Sequence, residues 1–230
     1  MKNKAQSTAS GHQIIAFGDI HGCVGAATTA IRIAEEMNCK AVFLGDYVDR
    51  GSNSIGVLEK IAQARGNHPD WIFLAGNHDV MLLDLIAGKR HPEQFDERTY
   101  KESFCEYQSL ESAKKREIAR LLHCLETFYE SSSYIFLHGG FLSSEPDIEH
   151  ISRDEIVWTY DIPLKYAGKK IVRGHNPVDT LVLETNNINI NTKCGYGGFL
   201  TGIILDDVAG RIIDCVSISE EGTKVSKQST

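Results

Sequence analysis

Between Gln13 and Ile86 one pattern occurs three times: a short apolar run, a glycine that ends it, a polar loop, then apolar residues at helical spacing. Gln13 to Phe17 runs into Gly18, and Val24, Ala27, Ile31 and Ala34 follow at helical intervals up to Met37. Ala41 to Leu44 runs into Gly45 ahead of Ile55, Leu58, Ile61 and Ala62, and Trp71 to Leu74 stops at Gly76 ahead of Met81, Leu82, Leu85 and Ile86. Short apolar runs bounded by glycine read as buried strands, and apolar residues three and four apart read as amphipathic helices. Alternating strand and helix predicts an α/β chain.

The second half reads differently. From about Glu97 to Glu130 the chain turns helical and charged, with Ile118, Leu121, Leu122, Leu125 and Phe128 on one apolar face, which predicts a helical insert. Short β-like segments follow at Tyr134 to Leu137, Lys170 to Val172, Thr180 to Leu183, Phe199 to Leu205 and Arg211 to Ile218. The expected architecture is therefore two mixed β-sheets flanked by helices, a compact α/β sandwich. With 42% apolar residues among 230, the chain can bury one sizeable core, so 13–219 is read as a single domain between polar tails at 1–12 and 220–230.

Charge narrows the partners. The net charge of −7 gives no electrostatic case for nucleic acid, which is not an expected partner, and any bound phosphate must be held by a local device such as a metal pair or an arginine. No stretch approaches the roughly 20 apolar residues that span a bilayer, so no membrane partner is expected. The first dozen residues carry no apolar leader, which makes the cytoplasm the expected location. Six cysteines without CxxC spacing argue against a zinc ribbon or a disulfide framework, and most are expected to be buried thiols.

Five Gly-bracketed polar clusters carry the chemistry: GDIHG (Gly18 to Gly22), GDYVDRG (Gly45 to Gly51), GNHD (Gly76 to Asp79), LHGG (Leu137 to Gly140) and RGHN (Arg173 to Asn176). Any one of them is most simply a turn, because Gly, Asp and Asn tolerate turn dihedrals. All five, however, fall just after an apolar run, and the carboxyl ends of strands in α/β sheets open into a common crevice. Carboxylates, an amide oxygen and imidazoles without thiolate suit manganese, iron or zinc, and suit magnesium less well. Two such ions can share a carboxylate and a hydroxide that attacks phosphorus. Asp46 is the natural bridging candidate, since Asp19 and His21 lie on an earlier loop and Asn77 on a later one. His12, His68, His91, His123 and His150 stand outside the clusters and are assigned nothing, Cys23 is expected to pack beneath its loop, and Asp79 to act as a loop-stabilising acceptor.

The ordered set resembles the phosphoprotein phosphatase branch of the calcineurin-like metallophosphoesterases, above all the short bacterial and phage serine/threonine phosphatases, over about Ile14 to Asp206. The resemblance implies that Asp19 and His21 bind one divalent metal ion, that Asp46 bridges, and that Asn77, His138 and His175 bind a second. It further implies that His78 donates a proton to the leaving oxygen, held by Asp49, while Arg50 and Asn77 grip the phosphoryl oxygens. These roles suit the residue types: an alkoxide needs a positioned acid, and a guanidinium offers a bidentate fork.

Two single positions and one three-residue segment depart from the family pattern. Ala75 and Tyr160 stand where short members often carry arginine, so the expected phosphate grip is thinner unless Arg153 or Arg173 reaches the pocket. Asn191, Thr192 and Lys193 replace a frequent Asp-Thr-Gly. The expected activity is hydrolysis of phosphomonoesters, with phosphoserine or phosphothreonine in proteins as first substrate and small aryl phosphates or phosphotyrosine as secondary ones. The alternative is symmetrical hydrolysis of dinucleoside polyphosphates such as diadenosine tetraphosphate. A non-catalytic phosphate-binding module is a third reading, against which the intact His78 and Asp49 weigh.

Overall fold

Adjacent residues of the first strand, β1 (Gln13–Phe17), point to opposite faces, and each face meets a different core. Ile14 and Ala16 pack with Val42, Leu44, Tyr134, Phe136, Val172 and Ile188, whereas Ile15 and Phe17 pack with Ala27, Ala30, Leu58 and Ile61. A strand buried on both sides reads as the unbroken apolar run seen in the sequence. The computed structural model describes residues 12–94, 100–142, 148–162 and 166–225.

Three repeats of strand and helix come first: β1, α1 (Val24–Met37), β2 (Lys40–Phe43), α2 (Ser54–Asn67), β3 (Ile72–Phe73) and α3 (Asn77–Ile86). The insert supplies α4 (Lys101–Gln108) and α5 (Ser112–His123). Then come β4 (Phe128–Glu130), β5 (Tyr134–Leu137), α6 (Arg153–Trp158), β6 (Lys170–Arg173), β7 (Val182–Leu183), β8 (Asn187–Asn189), β9 (Phe199–Asp206), β10 (Arg211–Ser219) and β11 (Lys224–Val225). One sheet runs β11-β10-β9-β1-β2-β3 and the other β4-β5-β6-β8-β7. Both are mixed: β1, β2 and β3 pair in parallel while β9 and β10 pair antiparallel, and β5, β6 and β8 are parallel while β4 and β7 are not.

The sheets pack face to face through the Ile14–Phe136 core. Helices α1 and α2 cover the outer face of the first sheet, and Ile156 of α6 packs on Ile135, Leu137 and Ile171 on the outer face of the second. The expected sandwich of two mixed sheets flanked by helices is the observed architecture.

Local boundaries differ in instructive places. Phe128, expected on the insert's helical face, lies instead in β4, antiparallel to β5 with Phe128 opposite Leu137. The helix stops at His123, and an isolated bridge between Glu126 and Leu74 draws the chain into extended pairing. Strand β8, Asn187–Asn189, carries too little apolar pattern to be read as a strand, yet it is buried, because β6 and β7 pair with it on either side. Beyond Ser219, where a tail is expected, the chain turns and pairs β11 with Ser217 and Ile218. Residues 1–11 and 226–230 of the expected tails, and 97–99 of the insert, lie outside the described residues. Only Cys23, Cys39 and Cys194 are buried, so the expectation that most cysteines are buried is not met.

Candidate metal centre

Every cluster singled out in the sequence sits just past the carboxyl end of a strand: Asp19 after β1, Asp46 after β2, Asn77 and His78 after β3, His138 after β5 and His175 after β6. Two sheets presenting the same ends bring these five loops together. Asp19, His21, Asp46, Asn77, His138 and His175 are all buried.

The loops reach this arrangement through unusual backbone. His21, Asp46, Asp49, Arg50 and His175 all have φ between 47° and 68°. Such left-handed residues cost about 1–2 kcal/mol each when they are not glycine, and they persist where surrounding contacts over-determine them. Glycine permits the closest approaches: a Cβ on Gly174 would collide with Asp19 Oδ1, and one on Gly76 with Asp46 Oδ1.

Asp46 lies at the middle of the set. Its Oδ2 is 3.6 Å from His21 Nε2 and 3.4 Å from His138 Nε2, while Oδ1 accepts the backbone N–H of His78 at 3.0 Å. Among the described residues two groups have ligand atoms close enough to surround an ion: His21 with Asp46 and His78, and Asp19 with Asp46 and His138. Asp46 belongs to both. Asn77 Oδ1 lies 3.0 Å from His138 Nε2 and 2.9 Å from His175 Nδ1, and the backbone N–H of His175 reaches the Asp19 carboxylate at 3.2 Å.

The surrounding bonds orient these donors. His21 Nδ1 is 3.0 Å from the Val48 carbonyl and His138 Nδ1 is 2.9 Å from that of Leu44, which turns both Nε2 atoms toward Asp46. Pinning one imidazole nitrogen so that the other faces the ion is the usual support of a metal-ligating histidine. Asp79 accepts from the backbone N–H groups of Gly76, Asp46 and Tyr47, the loop-stabilising role expected for it. Asn191 Nδ2 donates to Asp19 Oδ2 at 2.6 Å, so the altered Asn191-Thr192-Lys193 segment still braces the first loop. Cys23 packs beneath that loop, with its thiol on the His21 carbonyl.

Without a cation this charge distribution is unbalanced. Burial lifts Asp19 to about 7, and burial, then the charge of Asp46, lifts Asp79 to about 7. Burial also lowers His21 to about 4 and His175 to about 3, leaving both neutral with lone pairs available. His175 Nε2 is buried with no hydrogen-bond partner among the described residues. Crowded carboxylates, neutral imidazoles and an orphaned ring nitrogen fit divalent cations bound by oxygen and nitrogen.

Beside this set stands a second pair. Asp49 Oδ2 is 2.7 Å from His78 Nδ1, both buried. Burial opposes the imidazolium, but the charge of Asp46 and then the bond and charge of Asp49 outweigh it and raise the His78 pKa. Arg50 stacks over the Tyr196 ring at 5.1 Å, and its buried Nε has no partner among the described residues. Arg173 is turned away, bonded to Asn187 and the Tyr160 carbonyl, and Arg153 is bonded to the Leu125 carbonyl and Thr127. Neither replaces the arginines missing at Ala75 and Tyr160.

Sequence reading missed an aromatic rim. The Tyr160 ring lies 4.3 Å from His175, Tyr196 lies 5.5 Å from His21, and Tyr100 lies 4.7 Å from His78. Lone tyrosines on separate loops carry no spacing signal, so only the fold assembles them.

Residues 12–200 match the model of the calcineurin-like phosphoesterase family. The chain is 26% identical to a serine/threonine-protein phosphatase 2 of Salmonella typhimurium over 208 residues, covering 80% of this chain and 87% of that one. It is 31% identical to an asymmetrical bis(5'-nucleosyl)-tetraphosphatase, PrpE, of Bacillus velezensis over 221 residues, covering 81% and 86%. Its fold is similar to the solved structure of a protein assigned as a diadenosine tetraphosphatase, with TM-score 0.67 and 22% identity over 91% of this chain and 95% of that one.

Proposed function

Because this chain belongs to the calcineurin-like phosphoesterase family, we propose that it is a metal-dependent phosphomonoesterase whose first substrate is phosphoserine or phosphothreonine in proteins. The observation that carries the reading is the buried His78–Asp49 pair beside Asp46, a carboxylate close enough to His21, Asp19 and His138 to share metal ions with them. Asp19 and His21 would hold one ion, Asn77, His138 and His175 the other, and Asp46 both. Manganese is the first choice, with iron or zinc as alternatives. Bound there, the pair supplies an activated water and neutralises phosphoryl charge.

The chain's own side chains supply the rest. Nδ1 of His78 is engaged by Asp49, which leaves Nε2 as the proton donor to the departing oxygen, and the raised pKa of His78 keeps that proton in place near neutral pH. Arg50 offers its guanidinium to the phosphoryl oxygens with one nitrogen still unpaired among the described residues, and Asn77 stands beside it on the next loop. With a single arginine in the grip, turnover depends heavily on Arg50.

A second reading is hydrolysis of dinucleoside polyphosphates. The name of the Bacillus velezensis relative favours it, as do the exposed rings of Tyr160 and Tyr196, which offer faces for a base. The test is to purify the chain with manganese and compare a phosphoserine peptide, para-nitrophenyl phosphate and diadenosine tetraphosphate, each with and without chelator. The phosphopeptide should be turned over and chelator should abolish turnover. Preference for diadenosine tetraphosphate would transfer the assignment to the second reading, and no turnover of any substrate would leave a phosphate-binding module.

A further inference from the structure

The helical insert reaches the acid pair from outside the five loops. Tyr100, Ser103 and Glu106 recur every third residue at the start of α4 and along it, and so share one helix face. That face touches the site three times: the Tyr100 ring packs on His78, Ser103 Oγ donates to Asp49 Oδ1 at 2.5 Å, and Glu106 accepts the N–H groups of Ser54 and Ile55 at 3.3 and 3.0 Å. Ser103 is 0% exposed. Glu106 thereby fixes the first turn of α2, whose Ser54 Oγ accepts the backbone N–H of Asp49 at 2.9 Å.

Asp49 is thus held at its backbone and at one carboxylate oxygen. It needs holding, because its φ of 68° is one that a non-glycine residue keeps only under constraint. With Oδ1 bound to Ser103, Oδ2 remains for His78 Nδ1. A carboxylate lacking the first bond can swing about its Cβ–Cγ axis, and the imidazole that follows it loses its aim.

We propose that Ser103 is a positioning residue for the proton donor: the insert, through its hydroxyl on Asp49, orients His78 for protonation of the leaving group. This rests on the reading of His78 as the acid. Ser103 touches neither substrate nor reacting atoms and acts only through Asp49.

The test compares the native chain, Ser103→Ala, Ser103→Thr and His78→Asn, all with manganese, on phenyl phosphate, which leaves poorly without a proton, and on 2,4-dinitrophenyl phosphate, which needs none. Ser103→Ala should lower kcat on phenyl phosphate about tenfold, the size of one hydrogen bond to a charged group, and leave the dinitrophenyl ester nearly unchanged. Ser103→Thr keeps the hydroxyl and should restore the native ratio. Partial unfolding lowers both esters in proportion, so the ratio reports the acid and not the amount of folded protein. Equal loss on both esters, or no loss on either, overturns the proposal. Equal loss on both in His78→Asn overturns the acid reading beneath it, a separate and distinguishable failure. A further readout needs no turnover: with diamagnetic zinc in place of manganese, the Nδ1 proton resonance of His78 should broaden through exchange with water in Ser103→Ala and stay sharp in Ser103→Thr. An unchanged resonance in Ser103→Ala would also overturn the proposal.

Discussion

The metal-free chain should lose stability as pH rises from 6.5 to 9, and Asp46→Asn should remove most of that loss. His138 is fully buried, with its Nε2 3.4 Å from Asp46 Oδ2. Burial disfavours its charged form, but the charge of Asp46 and the bond to it, with help from Asp19, raise the group from the ordinary 6.5 to about 9. The folded chain then keeps a proton that the unfolded chain releases. For a pKa raised in this way, the stabilisation is fully present below 6.5 and is lost as pH climbs through 9. At roughly 1.4 kcal/mol per tenfold change in proton affinity, the pair contributes about 3 kcal/mol. Asp19, lifted by burial from 3.8 to about 7, acts with the same sign, but its loss falls between those values, mostly below this window.

Urea unfolding in chelator, followed by the fluorescence of Trp71 and Trp158, measures this at the two ends of the window. Asparagine at 46 keeps an acceptor for the His78 N–H but removes the charge that holds the imidazolium, so subtracting the variant's pH dependence from the native one reports the titrations that the Asp46 charge shifts, His138 among them. A native chain equally stable at both ends, or a variant with the native pH dependence, would refute the reasoning. With the site loaded, ligation displaces the same proton, so metal uptake near neutral pH should release protons to the buffer.

Three further outcomes follow from single contacts. Gly174→Ala should leave the fold intact while lowering metal content and activity together, because its Cβ meets Asp19 Oδ1; full metal occupancy by elemental analysis would count against the collision. Phe136→Ala empties the middle of the inter-sheet core and should cost about 3–5 kcal/mol in chemical unfolding, where a loss under about 1 kcal/mol would show that the sheets collapse onto the space. Lys193 holds φ 67°, a conformation that strains any residue but glycine, so Lys193→Gly should raise stability by roughly 0.5–1 kcal/mol, and a lower melting temperature would contradict the strain.

The metal-site candidates were legible because each is local: a glycine, a polar ligand and the end of an apolar run occur within a few residues, and a strand buried on both faces leaves an unbroken apolar string. Asp19, His21, Asp46, Asn77, His138 and His175 could therefore be named before any geometry, as could Asp49, Arg50 and His78. Their convergence was legible only through the rule that strand carboxyl ends share a crevice. Elements whose identity depends on neighbours were not legible. Phe128 reads as helix by period, but pairing with Leu137 makes it strand. Asn187 to Asn189 carries too little apolar pattern to be named a strand, but β6 and β7 supply the hydrogen bonds that make it a buried one.

The sequence alone therefore named the candidate ligands and, through the family resemblance, the candidate proton donor, because ligand type and loop chemistry are properties of short segments. Only the tertiary structure decided how they are held. That Asp46 is shared by two ligand groups, that Arg173 and Arg153 are turned away, that Tyr100, Tyr160 and Tyr196 rim the site, and that Ser103 braces Asp49 all depend on contacts between residues distant along the chain. No spacing in one segment encodes such contacts. They arise when two sheets, joined through the core around Ile14 and Phe136, bring their strand ends to one edge and the insert docks across it.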